Sequence, residues 1–168
     1  MDIYFVGLKS KSNEIQTVTY NNSDSLNSIK YNIFESDSNL HVGYIEGYIA
    51  NESTFISVVR IDPNFQGKGI GFKAFNKVFQ ELNTNNTITK NCGTWHKDDE
   101  FSTCDDGMST NLKVFKAELN NKSNLSECAL KTLTGKQAKK LGFEMCEVIR
   151  NDETAVEVVW ENTPIIAI

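Results

Sequence analysis

The chain has 168 residues, 39% of them hydrophobic and 10% aromatic, which suits one globular domain with a sizeable core rather than a disordered chain. A net charge of −5 argues against a general nucleic-acid binder, which would be basic; it would suit a cationic acceptor, though many acidic proteins share it. There is no apolar run long enough to span a membrane and no basic, apolar leader at the start, and Cys92, Cys104, Cys128 and Cys146 are scattered without a Cys-x-x-Cys pair. Reduced thiols in a cytoplasmic setting are therefore expected, with no metal site.

In chain order, residues 2–9 and 14–20 read as strands, and 28–35 as another. Residues 36–39, Ser-Asp-Ser-Asn, form a hairpin turn, so 40–50 should pair back. Within 40–50, Tyr44, Glu46 and Tyr48 share one face at period two. A carboxylate between two tyrosines suits a general base or an amine-binding group; a solvated outer face suits it equally. Residues 51–53 make the next turn.

Residues 55–61 are apolar and β-branched, the pattern of a strand buried on both faces. Pro63 cannot donate to a ladder, so the strand should end there. Gln66-Gly67-Lys68-Gly69-Ile70-Gly71 follows, and from Gly71 on, Ala74, Phe75, Val78, Phe79 and Leu82 recur at helical spacing. A glycine loop opening a helix lets an anion approach unpaired N–H groups at the positive end of the dipole. A plain tight turn would use the same glycines. The spacing matches neither the dinucleotide fingerprint nor the P-loop.

Residues 87–95 can form a strand parallel to 55–61. Its end carries His96, followed by the acidic Asp98, Asp99 and Glu100. In 97–132, Met108, Leu112, Phe115 and Leu119 mark a helix face, with Ser109 or Thr110 as its N-cap. Residues 113–140 are rich in lysine. Thr134 with Gln137 resembles a capping box, and Gly142 suits a helix end. Residues 143–150 and 154–161 read as strands joined by a turn, with an apolar tail to Ile168. These elements make an α+β domain with a mixed, mostly antiparallel sheet and flanking helices.

The stretch 61–71 resembles the acyl-CoA motif of GNAT-type N-acetyltransferases, Gln/Arg-x-x-Gly-x-Gly/Ala, with Gln66, Gly69 and Gly71 in its fixed positions. Lys140-Leu141-Gly142-Phe143 resembles the family's second landmark. The resemblance implies a GNAT-like acyl-CoA N-acyltransferase fold over 1–168, with an insertion at about 97–132. It implies acetyl-CoA as cosubstrate, its pyrophosphate on the backbone of Gln66, Gly67, Lys68, Gly69, Ile70 and Gly71, and pantetheine along Val59 and Ile61. The activity implied is direct acetyl transfer to an amine, with small amines and proteins both among the acceptors. Candidate catalytic groups are Glu46 and His96, with Glu52 or a water chain as alternatives for the base. Many members carry a tyrosine four residues before the landmark glycine, as acid on the CoA thiolate. This chain has Ala138 there, which leaves open a second reading: an acyl-CoA-binding regulator or partner-binding protein with little catalysis.

Overall fold

A computed structural model describes residues 1–8, 28–84, 87–102, 104–121 and 124–162 of the chain. Four strands come first: β1 (Ile3–Gly7), β2 (Ser28–Glu35), β3 (His41–Ala50) and β4 (Thr54–Ile61). Then follow α1 (Ile70–Asn83), β5 (Lys90–His96), α2 (Thr110–Asn121), α3 (Leu125–Lys131), α4 (Leu133–Lys140), β6 (Phe143–Asn151) and β7 (Ala155–Asn162). The strands form one mixed sheet in the order β1-β2-β3-β4-β5-β7-β6. The α+β class and the mostly antiparallel sheet agree with the sequence, and β4 with β5 is a parallel pair. The expected strand at 14–20 and the tail from residue 163 lie outside the described residues.

Two compact units share the chain, the first formed by Met1–Ala50 with Ser57–Asn85. Its hairpin at 36–39 closes where Glu35 N donates to Leu40 O at 2.9 Å. Antiparallel register then sets Ile3 against Glu35 and Lys30 against Glu46. Helix α1 buries Ala74, Phe75, Val78, Phe79 and Leu82, the residues its periodicity marked, and packs on β2 and β3. Ile33, Val42, Ile45 and Ile49 are buried strand residues of this unit's core. Gly43, at φ 153, lies so close to the next strand that a Cβ would stand 2.2 Å from the Arg60 carbonyl oxygen. Any side chain there would force β3 and β4 apart.

The second unit is Asn51–Ile56 with Asn86–Ile168. The start of β4 runs parallel to β5, pairing Thr54–Ile56 with Lys90–Cys92. Strand β7 lies between β5 and β6 and is antiparallel to both. Trp95, Val156, Val158, Trp160 and Phe143 from the sheet, with Leu112, Phe115, Cys128, Ala129 and Ala138 from the helices, are all buried. Ser109 caps α2 as expected, its Oγ accepting from Leu112 N at 3.3 Å.

Two local expectations are corrected, and one helix goes unseen in the sequence. The run 55–61 is not buried on both faces: Phe55 is buried, Arg60 is exposed, and the rest are half-buried. β-branched residues fit a strand whatever its burial, so the run signals conformation and not depth. The cap of α4 is Thr132 and not Thr134. Thr132 Oγ1 accepts from Gly135 N at 3.0 Å, while Thr134 lies inside the helix and its Oγ1 accepts from Asn111 Nδ2 at 2.9 Å. The short helix α3, capped by Asn124 accepting from Glu127 N, is too brief to show a clear period in the sequence.

Candidate functional site

The candidate cofactor residues, Val59, Ile61 and 66–71, all lie in the first unit. The loop after β4 is built by Asp62, whose Oδ1 accepts from Asn64 N at 2.9 Å and whose carbonyl accepts from Phe65 N at 2.8 Å. Pro63 opens the resulting 3-10 turn, Pro63–Phe65. Gln66 N closes the turn on the Pro63 carbonyl, and its side chain turns back, Nε2 donating to Ile61 O at 2.9 Å.

Gly67 and Gly69 then take φ of 75° and 77°, in the left-handed region that favours glycine. A Cβ on either would meet nothing within 4 Å, so neighbouring atoms do not require glycine there. The backbone conformation and an open approach do. Helix α1 starts at Ile70, one residue earlier than the spacing suggested. Its cap is Gly69, which has no side chain to satisfy the first-turn N–H groups, and the first turn has no acidic residue. The positive end of a long helix thus stands uncovered in an exposed loop, as an anion site requires. Ile70 is 3% exposed, so its side chain belongs to the core and only its backbone can serve. Lys68 Nζ lies 4.8 Å over the Phe65 ring, which tethers a cation beside the loop.

Backbone direction in β4 follows from its contacts with β3. The Arg60 carbonyl points at Gly43, and Asp62 N donates to Val42 O at 2.9 Å. Backbone groups alternate sides along a strand. Those of Val59 and Ile61 therefore point away from β3, and Gln66 engages the Ile61 carbonyl among them.

The candidate bases belong to different units, and each is described within its own. Glu46 sits on β3 in the first unit, half-buried and 3.2 Å from Lys30 Nζ, which also lies 5.4 Å over the Tyr44 ring. Lys30 was not singled out in the sequence; only the register that sets Lys30 against Glu46 reveals the pair. His96 ends β5 in the second unit, exposed and opposite Ala155 of β7. Glu52 is an exposed turn residue at φ 64°. Ala138, where the resemblance would place a tyrosine, is 0% exposed.

The acidic segment after β5 is an ordered loop. Lys97 bridges to Met108, and Asp98 N donates to Gly107 O at 2.7 Å. Asp99 Oδ1 accepts from Phe101 N at 2.8 Å, and Asp106 pairs with Lys113 at 3.2 Å. Glu100 and Asp105 are exposed.

Among the described residues, no three His, Cys, Asp or Glu side chains group as a metal site, and no helix is long and apolar enough to cross a membrane. Burial pushes the Cys92 thiol up and that of Cys146 to about 11, so neither is a thiolate at neutral pH.

Residues 8–99 match the model of the acetyltransferase (GNAT) family. No curated protein matches the chain. Among solved structures, the Campylobacter jejuni N-acetyltransferase PseH in complex with acetyl coenzyme A is 12% identical, with 81% of this chain and 69% of that one covered and a TM-score of 0.41. An aminoglycoside 6'-N-acetyltransferase complexed with coenzyme A is also 12% identical, over 82% of this chain and 74% of that one, at a TM-score of 0.45. The ribosomal-protein-S5-alanine acetyltransferase of Vibrio fischeri is 11% identical over 80% and 62%, at 0.44.

Proposed function

Because the chain belongs to the acetyltransferase (GNAT) family, we propose that it moves an acetyl group from acetyl-CoA directly to an amine. The observation that carries this reading is the loop 66–71. It offers an uncapped helix N-terminus, two glycines at positive φ and open space for a large anion, which fits a pyrophosphate. In this reading the N–H groups of Gly67, Lys68, Gly69, Ile70 and Gly71 bind the pyrophosphate, and the outward backbone of Val59 and Ile61 binds pantetheine as an added strand would. Acetyl-CoA supplies an activated thioester when bound. The chain's share is to hold that thioester beside the amine and to aim a backbone N–H of β4 at its carbonyl.

Glu46 and His96 are the proposed proton acceptors for the amine. Glu46 is held by Lys30, which keeps a fixed carboxylate on the Tyr44–Tyr48 face. His96 ends β5 immediately before the acidic loop. The insertion at 97–132 is proposed to recognise the acceptor, a protein or other macromolecule whose cationic groups would meet Glu100 and Asp105.

A second reading keeps the cofactor site and drops catalysis. The buried Ala138 favours it, since that position offers no acid to the leaving thiolate. Thiol release from acetyl-CoA over a panel of amines and protein extracts separates the two. Mass spectrometry with labelled acetyl-CoA then identifies the acceptor. Acceptor-dependent thiol release supports the transferase; tight acetyl-CoA binding without release under any acceptor supports the second reading.

A further inference from the structure

Deep in the second unit, both amide atoms of Asn91, Nδ2 and Oδ1, and the indole nitrogen Nε1 of Trp160 are buried without a hydrogen-bond partner. Asn91 is 1% exposed and Trp160 0%. The two residues stand directly opposite each other in the β5–β7 ladder. Their side chains therefore leave the same face of the sheet as near neighbours. Gly93, two residues along β5, fixes how the indole lies. A Cβ there would stand 3.0 Å from Trp160 Cζ3 and 3.2 Å from Cη2. The six-membered edge of the ring thus lies across Gly93.

Among the described residues, the neighbours in the ladder are not hydrogen-bond partners of these atoms. Phe55 is opposite Asn91 on the β4 side, Cys146 is opposite Trp160 on β6, and Trp95 lies 6.1 Å from the Trp160 ring. Thr134 faces Gly93 with its methyl group Cγ2, while its Oγ1 accepts from Asn111. Buried amides and indole N–H groups are almost always hydrogen-bonded, because leaving them unpaired forfeits their hydration. An occupant must therefore accept from the indole, serve a carboxamide in either orientation, carry no charge and be small. Neither an ion nor an apolar molecule meets those terms, and water meets all four.

We propose that Asn91 and Trp160 form a binding site for one internal water molecule. It accepts from Trp160 Nε1–H and bonds the Asn91 carboxamide, tying β7 to β5 at the register where β5 also pairs with β4. This site is independent of the acetyl-CoA reading.

The test is water-selective nuclear Overhauser spectroscopy on the intact 15N-labelled protein. The chain has two tryptophans, so Trp160→Phe assigns the indole signals. Trp160 Nε1–H should show a direct cross peak to a long-lived water, and that peak should vanish in Asn91→Leu. Absence of the peak in the wild-type protein, or its persistence unchanged in N91L, overturns the proposal. Should N91L fail to fold, the Asn91 side-chain amide of the wild type decides: it must show the same long-lived water, and lack of that contact is equally fatal.

Discussion

Gln66 Nε2 donates to the carbonyl oxygen of Ile61 at 2.9 Å, tying the glycine loop back to the end of the strand that precedes it. The side chain that marks the family motif thus acts on the protein's own backbone, and in the proposed reading it is the amides that follow which bind the anion. Gln66→Ala removes the tie while leaving the glycines in place. Its effect should be a several-fold weaker affinity for acetyl-CoA, in line with about 1 kcal/mol for one exposed hydrogen bond, with the folded state intact. Calorimetry beside circular dichroism checks it, and unchanged affinity would make the contact incidental.

Tyr31 on β2 is joined to α1 through Glu81 at 2.7 Å, and Lys77 holds the other Glu81 oxygen at 2.6 Å. The hydrogen bond to Glu81, followed by burial, pushes the Tyr31 hydroxyl up from 10.0 to about 12. A phenol raised in this way stabilises the fold fully below pH 10.0, and that contribution is lost as pH climbs through about 12. Glu81 behaves oppositely. Burial would raise its carboxyl, but the hydrogen bonds from Lys77 and Tyr31 outweigh burial and hold it below 4.5. Its contribution is present above 4.5 and fades as pH falls below that. Denaturant melts of wild type and Tyr31→Phe across this range should differ by about 1 kcal/mol on the plateau and converge above pH 12. A constant difference at every pH would contradict the linkage.

Ala138 is fully buried, so a tyrosine at that position must be forced into packed space. The sequence alone suggests that Ala138→Tyr restores an acid and is tolerated. The structure reverses that expectation: a loss of about 1–3 kcal/mol of stability or more, and no gain in turnover. Thermal melting and the thiol-release rate of the variant measure both.

How much was legible beforehand differs from element to element. Helix α1 was plain because its apolar residues keep a 3.6 period over the whole helix, and Gly67 and Gly69 were plain because no other residue takes positive φ so readily. The Lys30–Glu46 pair was hidden, since a register cannot be counted through a hairpin whose pairing shifts at Ile33 and Phe34. The α4 cap was misplaced by two residues because Thr132 and Thr134 are both good caps, and only the contact of Thr134 with Asn111 of α2 distinguishes them. Burial of Ala138 was invisible for the same reason: it depends on how α4 meets its neighbours.

The acidic loop gives a prediction about the acceptor. Asp98 and Asp99 shape the loop through backbone contacts, so reversing them would disturb its structure as well as its charge. Glu100 and Asp105 are exposed and are the better probes. Glu100→Lys with Asp105→Lys should slow transfer to a cationic acceptor several-fold at low salt and less at high salt, with acetyl-CoA affinity unchanged. Equal rates at both ionic strengths would place acceptor recognition elsewhere.

The most direct measurement of the cofactor assignment is calorimetric titration of acetyl-CoA into the wild-type protein and Gly69→Glu. At φ 77° the glutamate costs about 1 kcal/mol of backbone strain and sets a carboxylate at the proposed pyrophosphate site. The expected result is one binding site per chain in the wild type and no detectable binding by a variant whose circular dichroism is unchanged. A folded Gly69→Glu protein that binds acetyl-CoA as tightly as the wild type would show that the loop 66–71 is not the cofactor site.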